Sequence, residues 1–439
     1  MHAYRFYNAR ILTMRENEPI FTGEIWVEDG RILYVGDGGS LDEFYRRTGR
    51  QAVVWEREID CRGNMLLPGF KDAHTHSAMT FLRSSADDLP LAEWLNHQVF
   101  PYEAKLTPDD IYELSKLAVL EYLTSGITAA MEMYLTPESI APAFAEMGMR
   151  LVQVGGVNNF SQSVQDLEKW YRTLNGVSPL TSFRLGFHAE YTCSKELLQD
   201  LAALAHQLKA PVYTHIAETK AEVDGCVERY GKTPVAFLAD LGIFDFGGAG
   251  YHLVHTTEQD RAILKEKKIA VVTNPASNAK LASGIAPISD YLADGIPVAI
   301  GTDGPASNNC LDMFREMFLV TALAKLREQD ASAVPARRVL AMATSVGAQV
   351  MGLPEADSLA EGKLADMIMI DLAQPNMQPV QNLDCNLVYS GSKSNVMMTM
   401  VGGRILYDRL GGGGAQFHVG EDPLAIYEKA AKIRDRIFG

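Results

Sequence analysis

The sequence predicts an α/β protein, a (β/α)8 barrel of the TIM type with a small β-sandwich domain built from both chain ends. Three observations lead to this prediction. Eight short apolar segments recur between residues 64 and 304, and segments of helical periodicity separate them. Residues of alternating polarity occupy both ends of the chain. No G-x-G-x-x-G turn follows an apolar segment, which disfavours an open dinucleotide-binding sheet.

Both chain ends have the pattern of short antiparallel strands. Near the N-terminus the segments ARILTM, EIWVEDGRILYVGD and AVVWEREIDC alternate apolar and polar residues, and ADMIMIDL and SNVMMTMVGGRILYD do so near the C-terminus. Asp29-Gly30 supplies a hairpin turn between two of these strands. Neither end is long enough to bury a core alone. We therefore expect one small domain over residues 1–64 and 366–420, followed by a C-terminal helix over 421–439.

The middle of the chain, residues 65–365, is expected to form the barrel. Its apolar segments are mostly continuous, as in parallel strands that are buried on both faces. A helix over 107–126 begins with Thr107-Pro108, a capping residue followed by a first-turn proline, and another helix is expected over 194–209. The eight expected strands lie at 64–74, 128–134, 150–157, 184–190, 211–218, 249–255, 269–275 and 297–304.

Composition narrows the functional classes. Hydrophobic residues make up 47% of the chain and charged residues 22%, which excludes a disordered protein. The net charge of −15 argues against nucleic acid and anionic membranes as partners. No apolar run approaches the ~18 residues of a membrane span. Five cysteines without a C-x-x-C pair, and a first segment without signal-peptide layout, lead us to expect a cytoplasmic protein with reduced thiols.

Polar side chains cluster where the expected strands end. In a (β/α)8 barrel these ends meet at one rim, which carries the catalytic groups. His74 and His76 lie two residues apart on an extended strand, so both rings can face one ion. Together with His215 and Asp303 they offer a donor set suited to zinc, although iron, cobalt and manganese stay open. The residues at this rim are His74, His76, His188, His215, Glu218, His252 and Asp303.

Two carboxylates at the rim have competing interpretations. Asp303, in GTDGPASN, is either a turn or helix-capping residue, or a metal ligand that also accepts a proton from water. Glu218, three residues after His215 in THIAETK, is either a solvated loop residue or a catalytic acid. The surrounding histidines favour the chemical role for both carboxylates.

Five motifs resemble those of a known family. PGFKDAHTHSAMTFLR, HAEYTCS, THIAETKAEV, NPASNAKLASGIAP and GTDGPASNN are similar to motifs of the amidohydrolase superfamily. Within it they resemble the branch of methylthioadenosine/S-adenosylhomocysteine deaminases and related heterocycle aminohydrolases, and EGKLADMIMIDL extends the resemblance to the small domain. The resemblance implies a metal-dependent deaminase that replaces an exocyclic amino group of a small aminated heterocycle and releases ammonia. The implied substrates are adenosine-type: 5′-methylthioadenosine, 5′-deoxyadenosine or S-adenosylhomocysteine.

The resemblance also implies roles for individual residues. Glu218 would protonate a ring nitrogen, His252 would orient the attacking hydroxide, and Asp303 would take a proton from water. His188 and Glu93, in LPLAEWL, match positions that contact the substrate together with Glu218 and Asp303, and Glu93 would meet a sugar hydroxyl. One divalent metal ion, foremost Zn²⁺, would be held by His74, His76, His215 and Asp303.

Two features depart from the family pattern. Relatives that act on S-adenosylhomocysteine hold the far end of the substrate with arginine near the third strand, and residues 151–160 contain none. An anionic tail would therefore lose a charge-assisted partner. Glu190 stands where the pattern has proline, and with Asp87, Asp88 and Glu93 it predicts an acidic mouth that prefers neutral or cationic ligands.

Several alternatives remain open at this stage. The ring could be guanine, 8-oxoguanine, a pterin or cytosine, and the enzyme could be a triazine hydrolase, although Glu218 favours deamination. An amide hydrolase would be expected to carry a metal-bridging lysine at the fourth strand, where this chain has His188. A non-catalytic scaffold usually loses metal ligands, and here all four are present. The sequence leaves open whether the chain forms a homo-oligomer.

Overall fold

Two β-sheets organise the chain in the computed structural model, which describes residues 3–38, 41–50, 53–85, 87–411 and 413–439. One sheet has nine strands and the other has eight. In chain order the strands are β1 (Ala3–Ile11), β2 (Phe21–Glu28), β3 (Arg31–Gly36), β4 (Arg57–Asp60), β5 (Met65–Pro68), β6 (Phe70–Thr75), β7 (Ile127–Glu132), β8 (Arg150–Val154), β9 (Thr181–Ala189), β10 (Val212–Ile216), β11 (Gly248–His252), β12 (Ile269–Thr273), β13 (Val298–Ile300), β14 (Met367–Ile370), β15 (Val396–Val401), β16 (Arg404–Asp408) and β17 (Gln416–Phe417).

The nine-stranded sheet joins the two ends of the chain. Its order is β17-β16-β15-β14-β5-β1-β2-β3, and β4 pairs with β1 in parallel. The ends meet where β14 pairs antiparallel with β5, in the register Met367↔Pro68. The prediction that both chain ends join in a sheet separate from the barrel is confirmed. Its predicted boundaries remain predictions, and β5, which directly follows residue 64, pairs within this sheet.

The eight-stranded sheet forms the barrel. Strands β6 to β13 are neighbours in chain order, and each pair is parallel. The first and last strands meet where Asp303, after β13, donates its backbone N–H to the carbonyl of His74 on β6 at 2.9 Å. Buried side chains such as Met131, Tyr213 and Tyr251 fill the interior. The predicted (β/α)8 architecture is therefore confirmed.

The helices cover the outside of the barrel and follow its strands. Several begin with a capping box, as at Thr107, whose side chain accepts the N–H of Asp110 while that carboxylate accepts the N–H of Thr107. In chain order they are α1 (Leu41–Thr48), α2 (Leu91–Glu93), α3 (Phe100–Glu103), α4 (Pro108–Thr124), α5 (Pro137–Met147), α6 (Val164–Leu174), α7 (Lys195–Leu208), α8 (Lys220–Tyr230), α9 (Pro234–Asp240), α10 (Glu258–Glu266), α11 (Pro275–Lys280), α12 (Ile288–Ala293), α13 (Met313–Glu328), α14 (Ala336–Ala343), α15 (Ser345–Val350), α16 (Leu383–Cys385) and α17 (Pro423–Phe438).

One helical segment, residues 91–103, borders the cavity described below. A π-helical turn, Trp94–Val99, joins α2 to α3. Single π turns inside helices rotate the following residues around the axis and are frequent at functional sites. Within the described ranges, no helix combines the length and the apolar character that crossing a membrane requires.

Candidate active site

Histidines and one aspartate from separate strands converge at the carboxyl end of the barrel. His74 lies on β6, His215 on β10, His252 ends β11, and Asp303 follows β13. One potential ligand atom from each of these four residues lies within 4.8 Å of the others. His76 adds a fifth candidate, because its Nε2 lies 3.4 Å from Nε2 of His215 and 3.2 Å from Oδ1 of Asp303.

Backbone carbonyls fix which nitrogen of two histidines faces the centre. Nδ1–H of His215 donates to the carbonyl of His188 at 2.7 Å, and Nδ1–H of His76 donates to the carbonyl of Met133. Because Nδ1 carries a proton in each ring, Nε2 is the nitrogen left for an ion. Burial opposes protonation of His76, but contact with Asp303 outweighs burial and raises its pKa to about 9, so an ion would displace a proton from Nε2. Such partners orient metal-binding imidazoles and set their tautomer. Both rings therefore present Nε2 to the same point.

A divalent cation fits these residues. His74 is fully buried, and among the described residues neither of its ring nitrogens has a hydrogen-bond partner, although its Nε2 lies 3.5 Å from Oδ1 of Asp303. A buried polar atom without a partner is costly, and an ion at this point would satisfy it. Burial lowers the pKa of His74 to about 3 and that of His215 well below its usual value, so both rings are neutral, as metal ligation requires.

Asp303 is held ionised at this centre. Burial opposes its ionisation, but contacts with His74 and His76 outweigh burial and hold the pKa of the carboxyl well below its usual value. Its Oδ2 accepts hydrogen bonds from Ser277 at 2.6 Å and Ser307 at 3.0 Å, while Oδ1 faces the histidines. Its φ of 59° is a strained conformation for a non-glycine residue, and such strain is concentrated at functional sites.

Glu218 lies on the loop after β10 and lines the cavity next to the cluster. Burial raises the pKa of its carboxyl above the usual value, which favours the protonated form. The carboxylate of Glu222 fixes the loop, because it accepts the N–H of Ala217 at 2.7 Å and the N–H of Glu218 at 2.8 Å. The side chain of Glu218 also lies 3.9 Å from Nε2 of His252.

His252 has a side-chain partner of its own. Its Nδ1–H donates to Oδ1 of Asn278 on α11 at 2.7 Å, and both residues are buried. Nε2 of His252 therefore remains an acceptor, 3.9 Å from both Glu218 and Asp303. This position suits a group that holds a water molecule between the two carboxylates.

A cavity of about 560 Å³ opens over this centre. Its wall is largely apolar, but three buried polar atoms in residues that line it have no hydrogen-bond partner within the described part of the chain: Nε1 of Trp94, the hydroxyl of Tyr134 and Oε1 of Glu103. Burial raises the pKa of Glu103 to about 7. All three atoms are buried, and the Glu103 carboxyl and the Tyr134 hydroxyl interact with each other, so a ligand would reach them only after these side chains move.

Six of the predicted site residues line this cavity, and His74 lies buried behind them: the six are His76, His188, His215, Glu218, His252 and Asp303. Glu93 does not join them, because its side chain is exposed on α2 and does not line the cavity. The next residue, Trp94, does line the cavity. Consecutive residues point about 100° apart around a helix, so Glu93 faces a different direction from Trp94. The carboxylate that this segment brings to the cavity is Glu103.

The expectation of an acidic mouth was wrong for two of its residues. Glu190 is 1% exposed, and its carboxylate pairs with Arg229 at 2.6 Å. Asp87 pairs with Lys280 at 2.5 Å. Both carboxylates are neutralised within the protein, so they add no free negative charge to the opening.

Comparison with known proteins supports the interpretation of the histidine–aspartate cluster as a metal-binding active site. The amidohydrolase family model matches residues 65–406. The chain belongs to the amidohydrolase family. It is 37% identical to a 5-methylthioadenosine/S-adenosylhomocysteine deaminase of Thermoanaerobacter pseudethanolicus over 91% of this chain and 93% of the relative. It is 41% identical to the protein of that name in Moorella thermoacetica over 88% and 90% of the two chains.

A solved structure of a relative has the same fold. A crystal structure of an adenosine deaminase from Xanthomonas campestris with bound zinc superposes with a TM-score of 0.91 at 29% identity, over 99% of this chain and 98% of the other. The family membership and the relatives identify this amidohydrolase as a metal-dependent hydrolase of the deaminase type, which acts on C–N bonds of cyclic amidines. The predicted enzyme class is confirmed.

Proposed function

We propose that this amidohydrolase deaminates the adenine ring of adenosine-type nucleosides such as 5′-methylthioadenosine or 5′-deoxyadenosine, with zinc as its metal ion. One observation carries the proposal: a buried carboxyl with a raised pKa, Glu218, shares an otherwise largely apolar cavity with the histidine–aspartate cluster. Ring deamination needs a proton donor beside a source of hydroxide. The names of the relatives support an adenosine-type ring.

His74, His76, His215 and Asp303 would hold the ion. Imidazole nitrogens and a carboxylate oxygen are among the ligand types that zinc takes in proteins. Zinc supplies hydroxide at neutral pH, because a bound ion lowers the pKa of water from 15.7 to about 7. The crystal structure of the Xanthomonas campestris relative, with bound zinc, supports this choice of metal.

The protein's own groups divide the proton transfers. Asp303, ionised and hydrogen-bonded through Oδ2 to two serines, accepts the proton from water and passes it to the amino group, which leaves as ammonia when the C–N bond breaks. Glu218, whose pKa burial raises, donates a proton to the ring nitrogen next to the attacked carbon and recovers one from the new hydroxyl group as the C=O bond forms. His252 accepts a hydrogen bond at Nε2 and so orients the water, since Asn278 holds its other nitrogen. Environments that separate the pKa values of two carboxyls let one act as base and the other as acid.

The partnerless atoms of the cavity suit a sugar. The carboxylate of Glu103 can accept hydrogen bonds from two neighbouring hydroxyls, and Trp94 and Tyr134 can donate to their oxygens. His188 also lines the cavity, and its ring centre lies 5.0 Å from that of the cluster residue His215. Glu103 thus takes the sugar-binding role that the sequence suggested for Glu93.

The test is an ammonia-release assay on the metal-loaded protein. The panel contains 5′-methylthioadenosine, 5′-deoxyadenosine, adenosine, adenine, guanine, 8-oxoguanine, cytosine, a pterin and an aminated triazine. The proposal requires the adenosine-type compounds to give the highest kcat/KM. A higher kcat/KM for a free base, a pterin or a triazine would overturn it.

The five cysteines favour a reducing compartment. All are free thiols, and three of them, Cys61, Cys193 and Cys226, are buried. Because disulfides are rare in the cytosol, these thiols support the cytoplasm as the location.

A further inference from the structure

Among the described residues, the cavity wall carries carboxylates but no lysine or arginine. Of the described residues that line it, none is a lysine or an arginine, whereas Glu103, Glu218 and Asp303 all contribute carboxyl groups. Histidines are the other titratable nitrogen groups of the wall, and they belong to the cluster or lie next to it. A ligand carboxylate that entered this cavity would find no charge-assisted partner.

The open side of the cavity carries three aromatic side chains, beside the exposed lining residues Asn96, Ala104 and Ser161. Phe160, Phe100 and Tyr191 line the cavity and are 81%, 42% and 40% exposed, so they stand where it meets solvent. Asn158 fixes the loop that carries Phe160, because its Oδ1 accepts the N–H of Phe160 at 2.8 Å and that of Ser161 at 2.9 Å. A substituent that extends from a bound nucleoside toward solvent would therefore meet ring faces and edges.

Lys280, which precedes the cavity residue Leu281, uses its ammonium group in hydrogen bonds within the protein. Its Nζ donates to Asp87 and to Asn309, both at 2.5 Å, and to the carbonyl of Ala306 at 3.1 Å. An ammonium group has three donors, and three acceptors use them. Lys280 cannot turn to a ligand without breaking this arrangement.

Two other cations near the cavity segments are also engaged. Arg229 pairs with the buried carboxylate of Glu190 at 2.6 Å. Lys105, two residues after Glu103, donates to the carbonyl of Ile437 at 2.9 Å. Neither side chain lines the cavity.

We propose that this cavity selects nucleosides with an uncharged, apolar 5′ substituent and discriminates against those with an amino-acid tail, and that Phe160 is a residue that sets this preference. The inference rests on the proposed function, since it concerns the substituent of the same nucleoside. A tail carboxylate would lose water against the aromatic rim without gaining a cationic partner. A methylthio group would instead bury apolar surface against the same rings.

The experiment compares kcat/KM for 5′-methylthioadenosine and S-adenosylhomocysteine on the metal-loaded protein. We expect the ratio to favour the methylthio compound at least tenfold, or about 1.4 kcal/mol. Phe160→Arg places a guanidinium at the rim and should move the ratio toward S-adenosylhomocysteine. Phe160→Leu, the matched control, keeps the rim apolar and should leave the preference in the wild-type direction.

Equal or better turnover of S-adenosylhomocysteine by the wild type would overturn the inference while leaving the proposed function intact. If Phe160→Arg has the same ratio of kcat/KM values as the wild type, Phe160 does not set the preference. If neither compound releases ammonia, the proposed function is wrong, and calorimetry with the same two compounds on the metal-loaded protein then decides the preference. Tighter binding of the methylthio compound supports the inference; equal, reversed or absent binding overturns it.

Discussion

The hydrogen bond between Asn278 and His252 offers a direct test of how the site orients water. In Asn278→Ala, Nδ1–H of His252 loses its 2.7 Å acceptor inside the protein. A buried donor without a partner costs about 1–3 kcal/mol, and loss of an outer-shell partner of this kind typically lowers activity about 10–100-fold. We expect kcat to fall by that factor, because the ring can then rotate or change tautomer.

Metal content separates this effect from loss of the ion. His252 is not in the proposed ligand set, so Asn278→Ala should retain the metal while kcat falls. Asn278→Asp is the matched control, since it keeps an acceptor in the same place and should lose less activity. Steady-state ammonia release gives kcat and KM, and atomic absorption gives the metal content. An unchanged kcat in Asn278→Ala would refute the positioning role, and loss of metal would instead make His252 a ligand.

Three further outcomes follow from the same geometry. Glu218→Gln should retain the metal but lower kcat about 10²–10⁴-fold, because an amide cannot supply the proton, and a near wild-type rate would discredit that role. Glu103→Gln should lower kcat/KM for nucleosides about 10–100-fold, because an amide forms a weaker hydrogen bond with a sugar hydroxyl than a carboxylate does. Glu93→Gln should leave kcat/KM unchanged, because Glu93 is exposed. The reverse result would restore Glu93 as the sugar ligand. Glu222→Ala removes the acceptor of two backbone N–H groups and should destabilise the protein by about 2–6 kcal/mol in thermal unfolding, while Glu222→Gln should cost less.

The barrel and the metal cluster could be predicted because they depend on local patterns and one topological rule. Continuous apolar segments predicted the strands, and parallel strands bring their carboxyl ends to one edge. A histidine at the end of β10 or β11 therefore had to face the same rim as His74. This conclusion follows from the strand order alone, without the distances between the side chains.

The carboxylate proposed to bind the sugar could not be predicted in the same way. Glu93 and Glu103 lie on one helical segment, and the π turn between them changes which face each residue presents. The sequence gives no sign of that turn. Asn278 and Glu222 were also missed, since their roles depend on partners on another element or on the bend of a loop. Glu190 had been assigned to the mouth because its pairing with Arg229, 39 residues away in the chain, is not visible locally.

The central claim is that imidazoles from separate strands hold one ion on which deamination depends. Atomic absorption on the wild type and on His215→Ala, together with ammonia release from 5′-methylthioadenosine before and after chelation, tests it. We predict about one ion per wild-type chain and essentially none in the variant. Activity should disappear with the chelator and return with zinc. A wild-type protein that deaminates at full rate without metal, or a variant that binds the ion as tightly as the wild type, would contradict the claim.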